Sequence, residues 1–547
     1  MGFILMWIEA LATALLFSMD ALATKRSNAK RFANSRIFSI LMTGLSVLLA
    51  LLPLVLAAGG LLFSFSMSQR KLEPTWMFFT VSWAVALTVG ELVVLIYGLR
   101  RKPGTTTPRC QTWAHKSLTL GFFCALGLLA ITLWNVDSAV KERLAAVRTE
   151  SSALMLSVAP IRIPDCQNAA IFYEKAFAAL PDYKRWPGMH AAKWDCNFSR
   201  PDFDTSAPDF KDYLAHHRAT LAYLHKAAAL PGCYFEPGYG QMSSDMIMPE
   251  LAKFRQCARV LAVDARAKAA TGDLKNACAD IAVLNKIASL QMRDQVMISF
   301  LVNCGIEGIA KKALEGMLTS STPTAEESAA LRIEMDELCS FRHAYQRTLI
   351  GEEAFGLTMF DAMFGSNETS VSDVAPQVVA LGAPWRVFMA EVEIASYRKL
   401  MKGMRDAAEY SSAGMNDDAQ KIIKSIEEIP KGLFTSLIVP FLPKALISAS
   451  RADAQRELSL LALGMAAYRA KNGKYPEKLE ELTPEFIPAI PLDPFDNQPL
   501  KMERRDAEIL LYSVGADNKP LPQRITADDD ERIFRLNGGT VGAQKSK

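Results

Sequence analysis

Glu352 and Glu353 follow Gly351 in a stretch of helical apolar spacing, with His343 upstream of them. Carboxyls and an imidazole are the residue types of general acid–base chemistry, so Glu352 and Glu353 are the candidate catalytic pair of a hydrolase. Neighbouring positions on a helix point about 100° apart, which sends the two acids to different sides. Glu91 offers another chemistry. It lies inside a long apolar run, where an ionisable group either serves a small transporter or sensor as a proton or cation site, or pairs with a polar group of a neighbouring span. The six histidines are His115, His190, His216, His217, His225 and His343. His217 and His225 could share a helix face, but no carboxylate at metal spacing completes a site, and surface histidines are expected. HExxH, GxSxG, GxxxxGK[ST] and a strand-turn-helix GxGxxG are all absent.

Four apolar segments come before anything that could hold a catalytic pair: Gly2–Ala23, Ile37–Phe65, Trp76–Leu99 and Ser117–Val136. Each has the length of a membrane-crossing helix, so residues 1–136 read as a four-helix transmembrane region. Lys25, Arg26, Lys30, Arg31 and Arg36 load the first connection, and Arg100, Arg101, Lys102, Arg109 and Lys116 load the third. Basic loops stay in the cytoplasm, which places everything after Val136 on the outer side of a cell membrane. The first segment contains Glu9 and Asp20 and ends in Ala21-Leu22-Ala23, a signal-peptidase-like site; Met1 to Ile8 lacks the basic residues of a signal peptide. Net charge is +3, from 61 basic and 58 acidic residues, so no nucleic-acid partner is indicated. Nine cysteines show no CxxC spacing. Outside the cytoplasm a disulfide from Cys166 to Cys196 or Cys233 becomes possible, while Cys257, Cys278 and Cys304 read as buried free thiols.

Residues 137–450 read as an extracytoplasmic, α-helical repeat-like domain. Apolar spacing predicts a helix from Asn168 to Leu180, a loop-rich cap over Asp182–Pro208, and a tetratricopeptide-type hairpin of Leu251–Ala270 and Leu274–Met292 joined at Thr271-Gly272-Asp273. Further helices are expected over Val296–Leu318, Thr324–Ile350 and Phe388–Ala413, with a loop over Gly365–Pro384. Leu433–Leu446, interrupted by Pro440 and Pro443 and too short to span, reads as a buried connection, the alternative being an interfacial membrane anchor.

In residues 451–547, Leu458, Leu461, Met465 and Tyr468 mark one apolar stripe on a helix that Asn472-Gly473 ends. Lys474-Tyr475-Pro476, Asp493-Pro494-Phe495 and Ser513-Val514-Gly515-Ala516-Asp517 follow in that order, and a polar tail closes the chain. With these motifs, Asp453–Leu536 resembles the globular half of type II secretion major pseudopilins. The resemblance implies a small α+β module and a calcium loop with Asp517, Asp528 and Asp530 as ligands and Ser513 nearby; calcium suits such oxygen donors. The alternative is that Asp528–Asp530 form a solvated turn. Pro520 and Pro522 replace a glycine-rich connection, and the prepilin cleavage motif is absent, so pilus assembly is not implied. The larger arrangement resembles a group of bacterial multi-pass envelope proteins, a likeness that implies no activity. The sequence therefore reads as a mainly α, membrane-anchored envelope protein. Its partners would be the lipid bilayer and a protein or envelope polymer. A hydrolase using Glu352 and a transporter or sensor using Glu91 are the rivals.

Overall fold

A computed structural model describes residues 141–181, 208–235, 249–290, 295–364, 383–410, 441–526 and 529–537, together with single residues 138, 205 and 424. The four expected spans, Glu91, Cys196, Asp528, most of the 182–208 insert and most of the 365–384 loop lie outside them. Among the described residues, no helix is long and apolar enough to cross a membrane. The chain divides into two compact units. Met1–Ala146 with Phe360–Val392 forms one, and nearly all of it lies outside the described residues. Val147–Met359 with Glu393–Lys547 forms the other, mainly helical with one small antiparallel sheet.

The described helices begin with α1 (141–158), α2 (Ala170–Ala178) and α3 (Pro208–Ala228). Asn168 ties the entry of α2 to the segment after α3: its side-chain amide donates to the Tyr234 carbonyl at 2.8 Å and accepts from the Tyr234 N–H at 2.8 Å. The expected hairpin is present as α4 (Pro249–Ala270) and α5 (Leu274–Ala288). Gly272 makes its turn at φ +83°, a left-handed conformation that a Cβ would disfavour, and Asp273 caps α5 by accepting from Asn276 N–H.

After α6 (Met297–Ser320) come α7 (Ala325–Asp336) and α8 (Phe341–Phe364), where spacing predicts one helix over Thr324–Ile350. Asp453, far along the chain, causes the break. Its carboxylate accepts from the main-chain N–H of Phe341 at 2.7 Å and of Arg342 at 3.0 Å, and from Ser340 Oγ at 2.9 Å, so a fresh helix starts there. Next is α9 (Ala383–Tyr410).

The organising element is α10, Phe441–Asn472, about 48 Å long at 1.5 Å per residue. It absorbs the 441–446 part of the expected connection, Pro443 being tolerated in its first turn. Its burial runs from Leu442 to Ala467 and includes Leu460, Ala462, Leu463 and Ala466 besides the expected Leu458, Leu461 and Met465. More than one stripe is covered, because α6 and α7 pack along it as well as the sheet. The boundary expected at 450/451 falls inside this helix, and both sides of it belong to one unit.

Beyond α10, strands β1 (Lys501–Arg505), β2 (Glu508–Tyr512) and β3 (Ile533–Asn537) form a meander in that order, with Met502 opposite Leu511 and Leu511 opposite Phe534. Ile509, Leu511, Phe534 and Leu536 enter one core with residues of α4, α5, α6, α7 and α10. The other face, with Leu510, Tyr512 and Ile533, is covered by Leu521 and Ile525 of the proline-containing connection. Helices and sheet are therefore built on shared apolar burial.

The cysteines differ from expectation in part. Cys166 and Cys233 are both free thiols, Cys257 and Cys278 are buried free thiols as expected, and Cys304 is partly exposed. Burial pushes the Cys233, Cys257 and Cys278 thiols up to about 12, which keeps them protonated and unreactive.

Candidate functional site

Helix geometry sends the two adjacent glutamates to different partners. Glu352 Oε2 accepts from the Met297 N–H at 2.8 Å and so caps the start of α6. Burial pushes its carboxyl up, and the Met297 N–H bond offsets part of that. Glu353 is buried and pairs with Arg405 of α9. Tyr397 fills the space beside them, its hydroxyl donating to the Glu352 carbonyl at 2.7 Å. His343 is exposed. Both carboxylates are thus committed to holding α8 against its neighbours.

The C-terminal motifs meet in space, and their chemistry is that of a latch. Asp493, of the D-P-F turn, is fully buried; its Oδ1 accepts from Ser513 Oγ at 2.9 Å and from Phe495 N–H at 3.0 Å, and its Oδ2 from Val514 N–H at 2.7 Å. Ser513 Oγ donates to this latch and also accepts from the Gly515 N–H at 3.1 Å. Gly515 turns the chain at φ +71°, and Asp517 is exposed, its Oδ1 3.6 Å from Arg532 Nη1.

Arg532 occupies the middle of the loop. Its Nη1 donates to the carbonyls of Val514 and Lys519, each at 2.9 Å. Nε and Nη2 donate to Asp529 Oδ1 at 3.1 and 2.7 Å. Asp530 turns away to Arg535 Nη2 at 2.5 Å. The expected ligands Asp517 and Asp530 are therefore held by different arginines, and Asp528 lies outside the described residues. Among the described residues, no group of three or more His, Cys, Asp or Glu side chains could hold a metal ion. Among the described residues, the loop's converging oxygens face the Arg532 guanidinium. The Thr526 N–H and then Arg532 hold the Asp529 carboxyl down to about 2.

Two polar clusters escape a reading of local spacing because their members are far apart in sequence. The buried Arg456 of α10 donates through Nη2 to Glu307 Oε2 and Ser289 Oγ, each at 2.8 Å, and through Nη1 to the Cys339 carbonyl at 2.8 Å. Phe341 lies under its guanidinium at 4.6 Å. Nearby, burial and then the Asp453 and Asp336 carboxylates raise Glu457 to about 7. The second cluster joins α3, α4 and α5. Fully buried Asp280 receives His225 Nε2 on one oxygen and Lys268 Nζ on the other, both at 2.7 Å, and Lys268 also reaches Asp264 at 2.8 Å. Burial and then Asp280 push the Asp264 carboxyl up. His217, expected at the surface, is buried against Tyr213, and its Nδ1 is 2.8 Å from that residue's carbonyl oxygen. Burial pushes its imidazole down.

Lys311 joins the module to the helices. It is buried, with Nζ donating to Glu315 Oε2 at 2.9 Å and to the Asp530 carbonyl at 3.1 Å. Glu315 Oε1 in turn accepts from the Arg535 N–H at 2.9 Å. No family model, curated protein or solved structure matches the chain.

Proposed function

We propose that this is a membrane-anchored envelope protein, carried by the four apolar segments of residues 1–136, whose helical unit is an extracytoplasmic binding or scaffold body. Its partners are the lipid bilayer and an envelope protein or polymer. The repeat-like hairpin of α4 and α5 supplies helical surface, and the pseudopilin-like module adds a further docking face.

One observation supports the reading: α10 runs from the helical array into the module without a break, and both belong to one compact unit with a shared core. The ionisable groups that could have served hydrolysis, Glu352 and Glu353, are bound into that body.

The topology is tested with sealed, right-side-out vesicles. Added protease is expected to digest the helical unit; full protection overturns the reading. Crosslinking in intact cells then identifies what the surface holds.

A further inference from the structure

Two main-chain carbonyls and two carboxylates converge on the Arg532 guanidinium. The carbonyls of Val514 and Lys519 lie 2.9 Å from Nη1, Asp529 Oδ1 lies 2.7 Å from Nη2, and Asp517 Oδ1 lies 3.6 Å from Nη1. Neutral carbonyls mixed with carboxylates form the donor set that a hard divalent cation takes. Here a fixed monovalent cation takes it. Arg532 is half-buried and its methylene stem lies along the turn, 3.3 Å from where a Cβ on Gly515 would stand.

Among the described residues, the charges also close without a metal. Asp517 and Asp529 face Arg532, and Lys519 Nζ stands 4.0 Å from Asp517. Asp530, which would be a third carboxylate, is drawn off to Arg535 at 2.5 Å, and its own carbonyl receives Lys311. The planar fork of a guanidinium suits this arrangement, since it donates to oxygens lying in several directions at fixed angles.

We propose that Arg532 is the resident cation of this loop: its guanidinium does the cross-linking that a bound divalent ion would do, and the segments Val514–Thr526 and Asp529–Arg532 fold independently of metal. A corollary follows from the donor set. Removing the guanidinium uncovers an acidic, carbonyl-lined hollow that accepts calcium.

The full-length protein in detergent micelles provides the test, read by thermal melting and by amide hydrogen exchange over residues 514–532. The unsubstituted protein is expected to melt and exchange identically in EDTA and in millimolar calcium. Arg532→Ser in EDTA is expected to melt lower by about 5 °C and to exchange faster in the loop, and calcium is expected to restore most of both. Arg532→Lys keeps the charge without the fork, so it is expected to fall between the two and to ignore calcium. Three results overturn the proposal. One is a calcium-dependent gain in the unsubstituted protein that Asp529→Asn abolishes. Another is an Arg532→Ser protein whose loop exchanges as slowly in EDTA as the unsubstituted one. The last is a loosened Arg532→Ser loop that calcium leaves unchanged. If Arg532→Ser does not fold, calcium protection of the Arg532→Lys loop is the overturning result and its absence the supporting one.

Discussion

At the scale of the residue, Arg456 is the side chain on which most depends. It donates to Glu307 Oε2, Ser289 Oγ and the Cys339 carbonyl together, and no solvent reaches Glu307 to replace it. Arg456→Ala is expected to cost about 3–5 kcal/mol, because the carboxylate left behind is buried without its counter-charge. Arg456→Met with Glu307→Met, which removes both charges, is expected to recover most of that loss in denaturant melts. Glu457 gives a pH-dependent counterpart. Its carboxyl titrates at about 7 in the folded chain, against about 4.3 when unfolded. The folded state therefore binds the extra proton, and stability falls as pH rises from about 4 through 7. Glu457→Gln is expected to raise the melting temperature at pH 8 and to leave it nearly unchanged at pH 4. A variant equal to the parent at both pH values would refute this. None of these roles could be read from sequence spacing. Arg456 and Glu307, like Arg532 and Val514, are partners only once the chain has folded, whereas Asp493 and Ser513 stand in recognisable motifs whose mutual latch is nevertheless not written in either.

At the scale of the element, local pattern was informative wherever local chemistry decides. The α4–α5 turn at Gly272, the stop at Asn472-Gly473 and the span of α6 follow from caps and helical spacing. Where a distant group intervenes, the pattern misleads. Helical spacing continues through Glu337–Ser340, yet the Asp453 carboxylate offers the N–H groups of Phe341 and Arg342 a better partner than another turn of helix would. For α10 the pattern falls short in both length and width: it places residues 441–446 in a connection and marks a single stripe. Alanines and serines between the leucines look like a neutral face, but small side chains are what allow α6 and α7 to approach closely. This makes α10 the place to cut. A fragment of residues 451–547 retains the sheet and loses the α4–α7 side chains that share a core with Leu458, Leu460, Leu461 and Leu463. It is expected to bind a hydrophobic dye and to show poorly dispersed amide resonances. A sharp, well-dispersed spectrum would mean that the module folds alone.

At the scale of the whole molecule, the small sheet gains stability by leaning on a larger body. Its inner face contributes Ile509, Leu511, Phe534 and Leu536 to a core supplied mainly by helices. A three-stranded meander of five-residue strands is marginal on its own, so docking and folding are expected to be one event. Lys311 and Glu315 add polar register to the apolar contact by fixing Asp530 and Arg535 against α6. The mainly helical class with a minor antiparallel sheet was legible in the sequence. The weld between them was not, because it rests on contacts between residues as far apart as Lys311 and Asp530.

The enclosure of α10 also limits how copies of this chain could assemble. Fibres spun from long helices need a bare flank on each rod against which the next can slide. Here every residue from Ala452 to Ala467 except Glu457 is buried by the chain's own partners, so self-stacking through that stretch of the rod would first require stripping the sheath away.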